Sequence, residues 1–351
     1  MRAYLCSPGS EPALVEEIAR AGGAARPLAT GVVAADRTPP DFDPVFARQA
    51  LPEAREARGT SVRALAEAAY GALEAAIDRW PGPFAVHTLA HAEAPPGLGS
   101  RAALIAREAL ALLGERRRRA ARRQRPTEEA PSSFDASWLL VQIVALERDR
   151  LLVSAAAPRP LPAGGLDLSP WPGGDAPVAL DRAPPSRAYQ KLEEAFAWLG
   201  RAPRAGETCV DLGAAPGGWT ATLLKRGARV VAVDRAPLSA PLGRHPQVAS
   251  VLGNAFNYTP PAPVDWLVSD VVCEPPRSLA LCDRWLSGGL CRNLVVTVKF
   301  KGRAGYGVLA ELPPLLAKVR PAFARVKQLA HNKNEVTVMV CKEAAETDRA
   351  K

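Results

Sequence analysis

The stretch Asp211-Leu-Gly-Ala-Ala-Pro-Gly-Gly-Trp-Thr220 joins an apolar segment to a segment with helical character. Thr208-Cys-Val210 before it predicts a strand, and the residues from Thr220 to Arg226 predict a helix. A glycine-rich turn between a strand and a helix presents its backbone to a nucleotide at the carboxyl end of an open α/β sheet. This turn therefore predicts a nucleotide-binding site.

A second strand, Arg229-Val-Val-Ala-Val-Asp234, follows the helix and ends on an acid. A carboxylate at the end of the second strand of such a sheet can accept hydrogen bonds from the hydroxyls of a ribose. Asp234 and the glycine-rich turn together predict a ligand that carries adenosine.

The chemistry of the turn favours S-adenosylmethionine over a dinucleotide. A dinucleotide site has the pattern Gly-x-Gly-x-x-Gly, which cradles a pyrophosphate. Here the turn contains Gly213-Ala-Ala-Pro-Gly217-Gly218 and follows the acid Asp211. An acid suits a ligand with a sulfonium and an ammonium better than one with phosphates. A tight turn without any ligand is the alternative, and the Pro-Gly-Gly sequence together with Asp234 argues against it.

Composition sets the class of protein. A length of 351 residues predicts two domains or three small ones, and no apolar run reaches the roughly 18 residues that a membrane span needs. The first residues lack the apolar core of a signal peptide, and the six cysteines include no Cys-x-x-Cys pair. His87 and His91 are four residues apart but have no acid between them. We therefore expect a cytoplasmic protein that has no metal and contacts no membrane.

The two halves of the chain differ in charge. Residues 1–180 hold 21 Arg, no Lys and 21 acids, so the net charge of +9 lies entirely in residues 181–351. Seven of the arginines fall within Arg116–Arg125. Such a run is often the solvated end of a helix, but next to a basic domain it favours a surface that binds a polyanion.

The segments predict an N-terminal α+β region followed by an α/β domain. We expect a small α+β unit over 1–57 and a second one over 58–157, whose helix before a final strand pair is rich in arginine. Residues 158–185 contain eight prolines and four glycines, which predicts an extended linker or clamp. Strands and helices then alternate over 186–342, which predicts a mostly parallel, Rossmann-like sheet covered by helices on both faces. One helix is expected over 306–319, and residues 343–351 form a tail.

Charged residues occupy the ends of several predicted strands. Asp270 ends the strand Trp266-Leu-Val-Ser-Asp270, Lys299 ends Leu294-Val-Val-Thr-Val-Lys299, and Glu335 begins the last strand. Lys191 lies on the helix before the first strand. A charged residue at a strand end often simply reaches water. Asp270 and Lys299, however, end their strands at the edge that carries the glycine-rich turn, where ligands bind.

These residues resemble the FtsJ class of RNA ribose 2′-O-methyltransferases. The resemblance rests on Ser186, Lys191-Leu-Glu-Glu, the turn 211–220, Asp270, Val298-Lys299 and Asn334-Glu335-Val-Thr-Val. Within that class, Lys191–Phe196 and Asp265–Val272 are most similar to the RlmM-type 23S rRNA methyltransferases. Such proteins carry a ferredoxin-like unit and a THUMP RNA-binding module before the catalytic domain, so the resemblance implies these folds for 1–57 and 58–157.

The resemblance also implies the roles of individual residues. A Lys-Asp-Lys-Glu catalytic tetrad falls on Lys191, Asp270, Lys299 and Glu335. The residues expected at the cofactor are Ser186, Asp211, Gly213, Ala215, Pro216, Gly217, Gly218, Trp219, Asp234, Asn254 and Asp270. The chain departs from the pattern at Ala215, where a cysteine is usual, and at Asn254, where an aspartate usually holds the adenine amino group. An asparagine oxygen can accept the same hydrogen bond.

The predicted reaction is methyl transfer from S-adenosylmethionine to a ribose 2′-hydroxyl of RNA, in particular a cytidine of 23S rRNA, free or in an assembling ribosomal particle. Lys299 either accepts the hydroxyl proton, if its pKa is low, or acts as a cation that orients the hydroxyl, if Asp270 keeps it charged. Three alternatives remain: a different RNA substrate, a small-molecule methyltransferase, and a non-catalytic RNA-binding or ribosome assembly factor. The oligomeric state does not follow from the sequence.

Overall fold

A computed structural model describes residues 1–127 and 134–342. The chain divides into two compact units, the first Met1–Asp175 and the second beginning at Ala176. The boundary falls inside the segment 158–185 that the sequence predicted as a linker. The predicted tail 343–351 lies outside the described residues.

The first unit begins with a four-stranded antiparallel sheet. Its strands lie in the order β2-β3-β1-β4, with one helix between the first two strands. The elements are β1 (Arg2–Cys6), α1 (Glu11–Arg20), β2 (Ala24–Ala29), β3 (Val32–Arg37) and β4 (Ala47–Leu51). A ferredoxin-like unit has the element order βαββαβ. Here residues 38–46 form a loop in the place of the second helix.

A second four-stranded sheet completes the first unit. Its order is β5-β8-β7-β6, in which only β6 and β7 are parallel. The elements are β5 (Arg55–Arg58), α2 (Val62–Ile77), β6 (Phe84–Ala90), α3 (Leu98–Arg116), α4 (Arg118–Ala121), β7 (Leu139–Glu147) and β8 (Arg150–Ala156). The helices α2 and α3 pack on one face of this sheet, whereas Val144, Leu146 and Leu152 on the other face join a core with Leu5 and Leu51 of the first sheet. β5 begins before the boundary predicted after residue 57, because Arg55–Arg58 pairs with β8.

Residues 158–175 fold against the first unit and do not form an extended spacer. The side chain of Gln49 donates to the carbonyl of Ser169 and accepts from its amide, each at 3.0 Å. Arg2 forms an ion pair of 3.1 Å with Asp167. The segment has little regular structure apart from a 3-10 helix over Pro172–Gly174, and side chains of the first sheet supply hydrogen bonds that hold it. Of the two forms predicted for this stretch, a clamp describes it better than a spacer.

A buried histidine predicts that the first unit loses stability in acid. His87 on β6 is fully buried beside Gln142 of β7. Burial lowers the pKa of His87 from 6.5 to about 4, against the opposing effect of the Pro170 backbone. The unfolded chain therefore takes up this proton at a higher pH than the folded chain, and the free energy of unfolding falls by up to about 3 kcal/mol as the pH drops from near 6.5 to near 4.

Urea unfolding of the wild type and of His87→Leu between pH 8 and pH 4 would measure this effect. The difference between the two proteins isolates His87 from the carboxylates that titrate in the same interval. We expect a flatter pH dependence for His87→Leu. Parallel curves for the two proteins would contradict a neutral, buried His87.

The second unit contains a seven-stranded sheet with helices between its strands. Its elements are α5 (Tyr189–Leu199), β9 (Thr208–Leu212), α6 (Gly218–Leu224), β10 (Arg229–Asp234), α7 (Ala240–Gly243), β11 (Val248–Leu252), β12 (Val264–Ser269), α8 (Pro275–Ser287), β13 (Cys291–Lys299), α9 (Leu312–Val319), β14 (Phe323–Lys327) and β15 (Glu335–Cys341). The predicted helix over 306–319 is wrong in part. A 3-10 helix spans Arg303–Glu311, and α9 begins afresh at Leu312 because prolines occupy its first turn.

The strand order places the glycine-rich turn at a switch point of the sheet. The order is β11-β10-β9-β12-β13-β15-β14. The five strands from β11 to β13 are parallel, while β15 lies antiparallel between β13 and β14. The chain runs outward from β9 through β10 to β11, and then returns to β12 on the other side of β9. A crevice therefore opens at the carboxyl ends of β9 and β12, where open α/β sheets bind ligands.

Candidate active site

The glycine-rich turn is packed too closely for side chains. Gly213 has φ of +80°, and a Cβ at this position would lie 2.9 Å from Cβ of Val271. Gly217 has φ of +115°, and its Cβ would overlap with Leu242. Both positions combine a left-handed backbone with a close approach, so glycine is the residue that fits without strain.

The start of α6 lies directly against the segment that carries Ser186. A Cβ at Gly218 would overlap with the Oγ of Ser186. The indole Nε1 of the buried Trp219 donates to the carbonyl of Ala188 at 2.8 Å. The structure thus brings together Ser186, Gly218 and Trp219, which the sequence predicted for one site.

Asp211 is enclosed by the protein. Its side chain is 1% exposed, and one carboxylate oxygen accepts a hydrogen bond of 2.7 Å from the Thr220 hydroxyl. Burial raises the pKa of Asp211 to about 7, against the hydrogen bond from Thr220 and with help from the charges of Asp270 and Asp234. Its observed contact is therefore with the first turn of α6, and its predicted contact with a cofactor stays a prediction.

Asp234 ties two turns together at the end of β10. One carboxylate oxygen accepts from the amide of Ala215 and the other from the amide of Ala236, each at 3.0 Å. Asp234 thereby fixes the turn that contains Ala215 and Pro216. Each oxygen keeps a further lone pair, so the predicted contact with ribose hydroxyls is compatible with these bonds.

Asn254 follows the exposed end of β11. Its side-chain oxygen accepts from the amide of Phe256 at 3.1 Å and caps a 3-10 helix over Ala255–Asn257. The amide nitrogen of the same side chain is a donor only. The predicted contact of Asn254 with an adenine amino group would therefore share the oxygen that caps this helix.

The four residues of the predicted tetrad meet in one cluster. Lys191 Nζ lies 3.3 Å from each carboxylate oxygen of Asp270 and 2.6 Å from Oε1 of Glu335. Lys299 Nζ lies 2.5 Å from Oδ1 of Asp270 and 3.1 Å from Oε2 of Glu335. Each lysine thus contacts both carboxylates. Lys299 and Glu335 are direct partners across β13 and β15, so the antiparallel insertion of β15 creates this half of the cluster.

The charges in the cluster stabilise one another. Burial acts to lower the pKa of Lys299, but Asp270 and Glu335 outweigh it and the pKa is raised overall. Burial acts to raise the pKa of Glu335, but Lys299 and Lys191 outweigh it and that pKa is lowered. Lys299 is therefore a cation at neutral pH. Of the two roles that the sequence left open, this state favours the cation over the proton acceptor.

Two residues that the sequence analysis did not single out support the cluster. The hydroxyl of Thr297 donates to Oδ1 of Asp270 at 2.7 Å. Thr297 precedes Lys299 by two residues and so lies on the same face of β13, a spacing that could have identified it. Glu194 lies three residues after Lys191 on α5 and is fully buried. Its position one helical turn after Lys191 indicated a supporting role less clearly than the strand spacing did for Thr297.

Glu194 fixes the loop that leads into Glu335. Its carboxylate accepts from the amides of Ala330 and His331, at 2.8 and 3.0 Å. His331 Nδ1 lies 2.7 Å from the same carboxylate. One helix therefore carries Lys191 into the tetrad and also holds the segment that positions Glu335.

A cavity of about 720 Å³ opens beside the tetrad and is lined in part by Lys191, Lys299 and Glu335. A larger cavity of about 1140 Å³ elsewhere in the second unit is lined by none of the predicted site residues. Cavities of either size can hold a small ligand. Lys191, Lys299 and Glu335 line only the smaller of these two, which makes it the candidate for the reaction site.

Neither a metal cluster nor a membrane-spanning helix occurs in the described part of the chain. Within residues 1–127 and 134–342, no group of three or more His, Cys, Asp or Glu side chains is arranged to hold a metal ion. No helix in these ranges is long and apolar enough to cross a bilayer.

Sequence comparison relates this chain to known methyltransferases. Residues 184–309 match the model of the FtsJ-like methyltransferase family. The ribosomal RNA large subunit methyltransferase M of Laribacter hongkongensis is 38% identical over 222 residues, which cover 60% of this chain and 61% of that protein. The proteins of the same name from Pseudomonas syringae pv. syringae and Alkalilimnicola ehrlichii are 41% and 40% identical over 183 residues. Those matches cover 48% and 50% of this chain, and 50% and 51% of the relatives.

The matched region of the chain thus spans about half to three fifths of the length of these curated relatives. The family match begins just before Ser186 and covers the glycine-rich turn, Asp234, Asp270 and Lys299. The second unit therefore has the FtsJ-like methyltransferase fold.

Proposed function

We propose that this protein transfers a methyl group from S-adenosylmethionine to a ribose 2′-hydroxyl of RNA, in particular a cytidine of bacterial 23S rRNA. The observation that carries the proposal is the tetrad, in which Lys191 and Lys299 each contact both Asp270 and Glu335. A methyltransferase for a small molecule has no evident need of such an arrangement. The relatives named ribosomal RNA large subunit methyltransferase M support RNA as the substrate class.

The residues around the glycine-rich turn fit S-adenosylmethionine. The turn 211–220 contains no lysine or arginine to neutralise a phosphate, it begins with Asp211, and Asp234 accepts from the amide of Ala215 within it. Ser186 Oγ lies directly against Gly218, so this hydroxyl stands at the start of α6, where it would contact the ligand together with the turn. Asp234 and Asn254 would hold the adenosine, and the turn itself would hold the amino acid part. When bound, S-adenosylmethionine supplies a methyl group that its sulfonium has already activated.

The tetrad would position the ribose and stabilise charge as its oxygen reacts. Lys299, held as a cation, orients the 2′-hydroxyl and stabilises negative charge that develops on the oxygen. Asp270 and Glu335 keep both lysines in place, and Thr297 keeps Asp270 in place. The oxygen–carbon bond forms as the sulfur–carbon bond breaks, and the hydroxyl proton passes to water in the same step, so that partial negative charge develops on the oxygen beside Lys299.

Arginines of the first unit would supply part of the RNA contact. Arg116 pairs with Glu67, Arg117 with Asp78, and Arg123 donates to two carbonyls at the end of α2, so these three have structural roles. The other arginines of the run are exposed, and these are Arg118, Arg119, Arg122 and Arg125, of which Arg125 also donates to the carbonyls of its neighbours Arg122 and Gln124. They would contact phosphates, so the run contributes about half of the charge that its sequence suggests. An rRNA substrate would place the protein in the bacterial cytoplasm.

The test is methyl transfer to rRNA. Tritiated S-adenosylmethionine is incubated with 23S rRNA from cells that lack the gene, using the wild-type protein and Lys299→Ala. The labelled linkage is mapped by its resistance to alkali, which 2′-O-methylation confers. We expect label on one cytidine ribose with the wild type and almost none with the variant.

Other outcomes separate the alternatives. Methyl transfer to another RNA would support the proposed reaction but show that 23S rRNA is not the substrate. Binding of S-adenosylmethionine with no transfer to naked rRNA, but with transfer to a partly assembled ribosomal particle, would identify the particle as substrate. Failure to bind S-adenosylmethionine would overturn the proposal in favour of a non-catalytic RNA-binding factor.

A further inference from the structure

The tetrad cannot attract RNA by its net charge. Two lysines and two carboxylates contact one another in it, so their charges cancel within the cluster. RNA brings one negative charge per nucleotide into the neighbourhood of the reacting ribose. Other cations must therefore draw that phosphate to the cavity.

The cavity has such cations at its edge. Arg277, Lys301 and Lys333 line it together with three members of the tetrad, which are Lys191, Lys299 and Glu335. Lys301 forms an ion pair of 2.5 Å with Glu274 and is thereby neutralised. Among residues 1–127 and 134–342, no acidic side chain forms an ion pair with Arg277 or Lys333, and both side chains are exposed. These two residues are the cations of the lining that remain available to a ligand.

Arg277 is also held in place. Its guanidinium lies over the ring of Phe256, 4.1 Å from the ring centroid. The carbonyl of Phe256 in turn accepts a hydrogen bond of 2.8 Å from Arg284, so the platform is anchored to the same helix, α8. A guanidinium stacked on a ring keeps its N–H groups free at the edge, where they can bind a phosphate in a bidentate manner.

The mouth of the cavity includes an exposed apolar side chain. Val272 is 82% exposed and lines the same cavity. The reactive groups lie deeper, since the side chain of Glu335 is only 6% exposed and that of Lys299 is 20% exposed. A ribose within a continuous helix is shielded by its neighbours, so an enzyme with a recessed site acts on a nucleotide that has left the stack. Val272 offers the unstacked base an apolar contact.

We propose that Arg277 and Lys333 form a phosphate-binding subsite that takes the phosphodiesters flanking an unpaired nucleotide, whose ribose then reaches Lys299. This inference rests on the proposed function for the identity of the ribose. The phosphate subsite itself rests on the charges and contacts of the cavity. Unpaired RNA is therefore preferred over the same sequence in a duplex.

The experiment measures binding and transfer separately with the full-length protein. The binding probe is a fluorescent single-stranded RNA of twelve nucleotides, titrated at several salt concentrations. Variants are Arg277→Ala, Lys333→Ala, Arg277→Lys, and the control Arg292→Ala. Arg292 is also exposed, but it lies at the opposite end of β13 from Lys299 and pairs with Asp265.

We expect Arg277→Ala and Lys333→Ala each to raise Kd about tenfold, because a charge-assisted contact is lost. A plot of the logarithm of the association constant against the logarithm of the salt concentration has a negative slope. Each alanine variant should make this slope less steep by about 0.7, the value for one phosphate of a single strand. Arg292→Ala should bind the RNA with the Kd of the wild type. Arg277→Lys should have a Kd between those of the wild type and Arg277→Ala, since it keeps the charge but loses the stacked geometry. A duplex of the same sequence should bind the wild type more weakly, with a smaller effect of both alanine variants.

In methyl transfer to 23S rRNA, both alanine variants should raise KM for the RNA and change kcat by less than about threefold, because the tetrad is intact. Alanine variants that bind the RNA as Arg292→Ala does, or a duplex that binds as well as the single strand, would overturn the subsite. A third outcome is that both alanine variants weaken RNA binding as expected but the wild type transfers no methyl group. That outcome would support the phosphate subsite and refute the proposed function.

Discussion

Lys299→Ala is expected to reduce the rate of methyl transfer by a factor of about 10²–10⁴, the range for loss of one preorganised electrostatic or proton-transfer group. In the structure Lys299 is the cation between Asp270 and Glu335, with 2.5 and 3.1 Å contacts. Without Lys299, the positive charge of Lys191 alone would have to balance the negative charges of Asp270 and Glu335 near the reacting oxygen. Binding of S-adenosylmethionine should remain within about threefold of the wild type, because the glycine-rich turn is untouched. Single-turnover transfer and calorimetric binding measure the two quantities.

The pH dependence and Lys299→Arg identify what Lys299 does. Asp270 and Glu335 raise the pKa of Lys299 despite its burial, so the amine stays protonated well above neutral pH. As a cation, Lys299 should support a rate that is nearly constant between pH 7 and pH 9, and Lys299→Arg should retain part of the activity. As a base, it would require deprotonation, so the rate would rise about tenfold per pH unit and the arginine variant would be inactive. The second pattern would refute the cation role.

Glu194→Ala is expected to lower both stability and turnover. The fully buried carboxylate of Glu194 accepts from two backbone amides and contacts Nδ1 of His331. Removal leaves partly buried donors without this partner, which costs up to about 1–3 kcal/mol for each and should lower Tm by several degrees. Because the same loop leads into Glu335, kcat should fall about tenfold even at temperatures far below the transition.

A conservative variant separates positioning from general destabilisation. Glu194→Gln keeps one oxygen acceptor and a similar shape, so its Tm and kcat should lie between those of the wild type and Glu194→Ala. A reference variant is a substitution in the first unit, for example His87→Ala, whose Tm equals that of Glu194→Ala. This reference variant should keep the kcat of the wild type. If the reference variant loses kcat to the same extent, Glu194 has no specific effect on the tetrad.

Local patterns in the sequence predicted most of the second unit. The predicted strand Arg229–Asp234 coincides with β10, and the strands predicted at Thr208–Val210, Trp266–Asp270 and Leu294–Lys299 agree with β9, β12 and β13 within three residues. Apolar runs bounded by charged residues and glycines mark strands clearly when both faces of the sheet are covered. The helix predicted over 306–319 failed because Pro313 and Pro314 can begin a helix but cannot continue one from the preceding turn.

The sequence by itself determined which residue types end the parallel strands. Asp270 and Lys299 end strands that run in the same direction, so their meeting at one edge follows from the alternation of strands and helices. The site at the glycine-rich turn, which begins with Asp211, could likewise be predicted from adjacent residues, because a strand, a turn and a helix follow one another there. Each of these features depends on residues that are close together in the chain.

Tertiary structure alone decided how the tetrad closes and what charge it carries. Glu335 faces Lys299 because β15 enters the sheet antiparallel beside β13, and no local pattern specifies that partner. Asp211 is enclosed, Glu194 binds a loop 136 residues away, and Arg277 stacks on Phe256. Protonation depends on the balance between burial and contact with opposite charges, and both are set by residues distant in sequence that folding brings together.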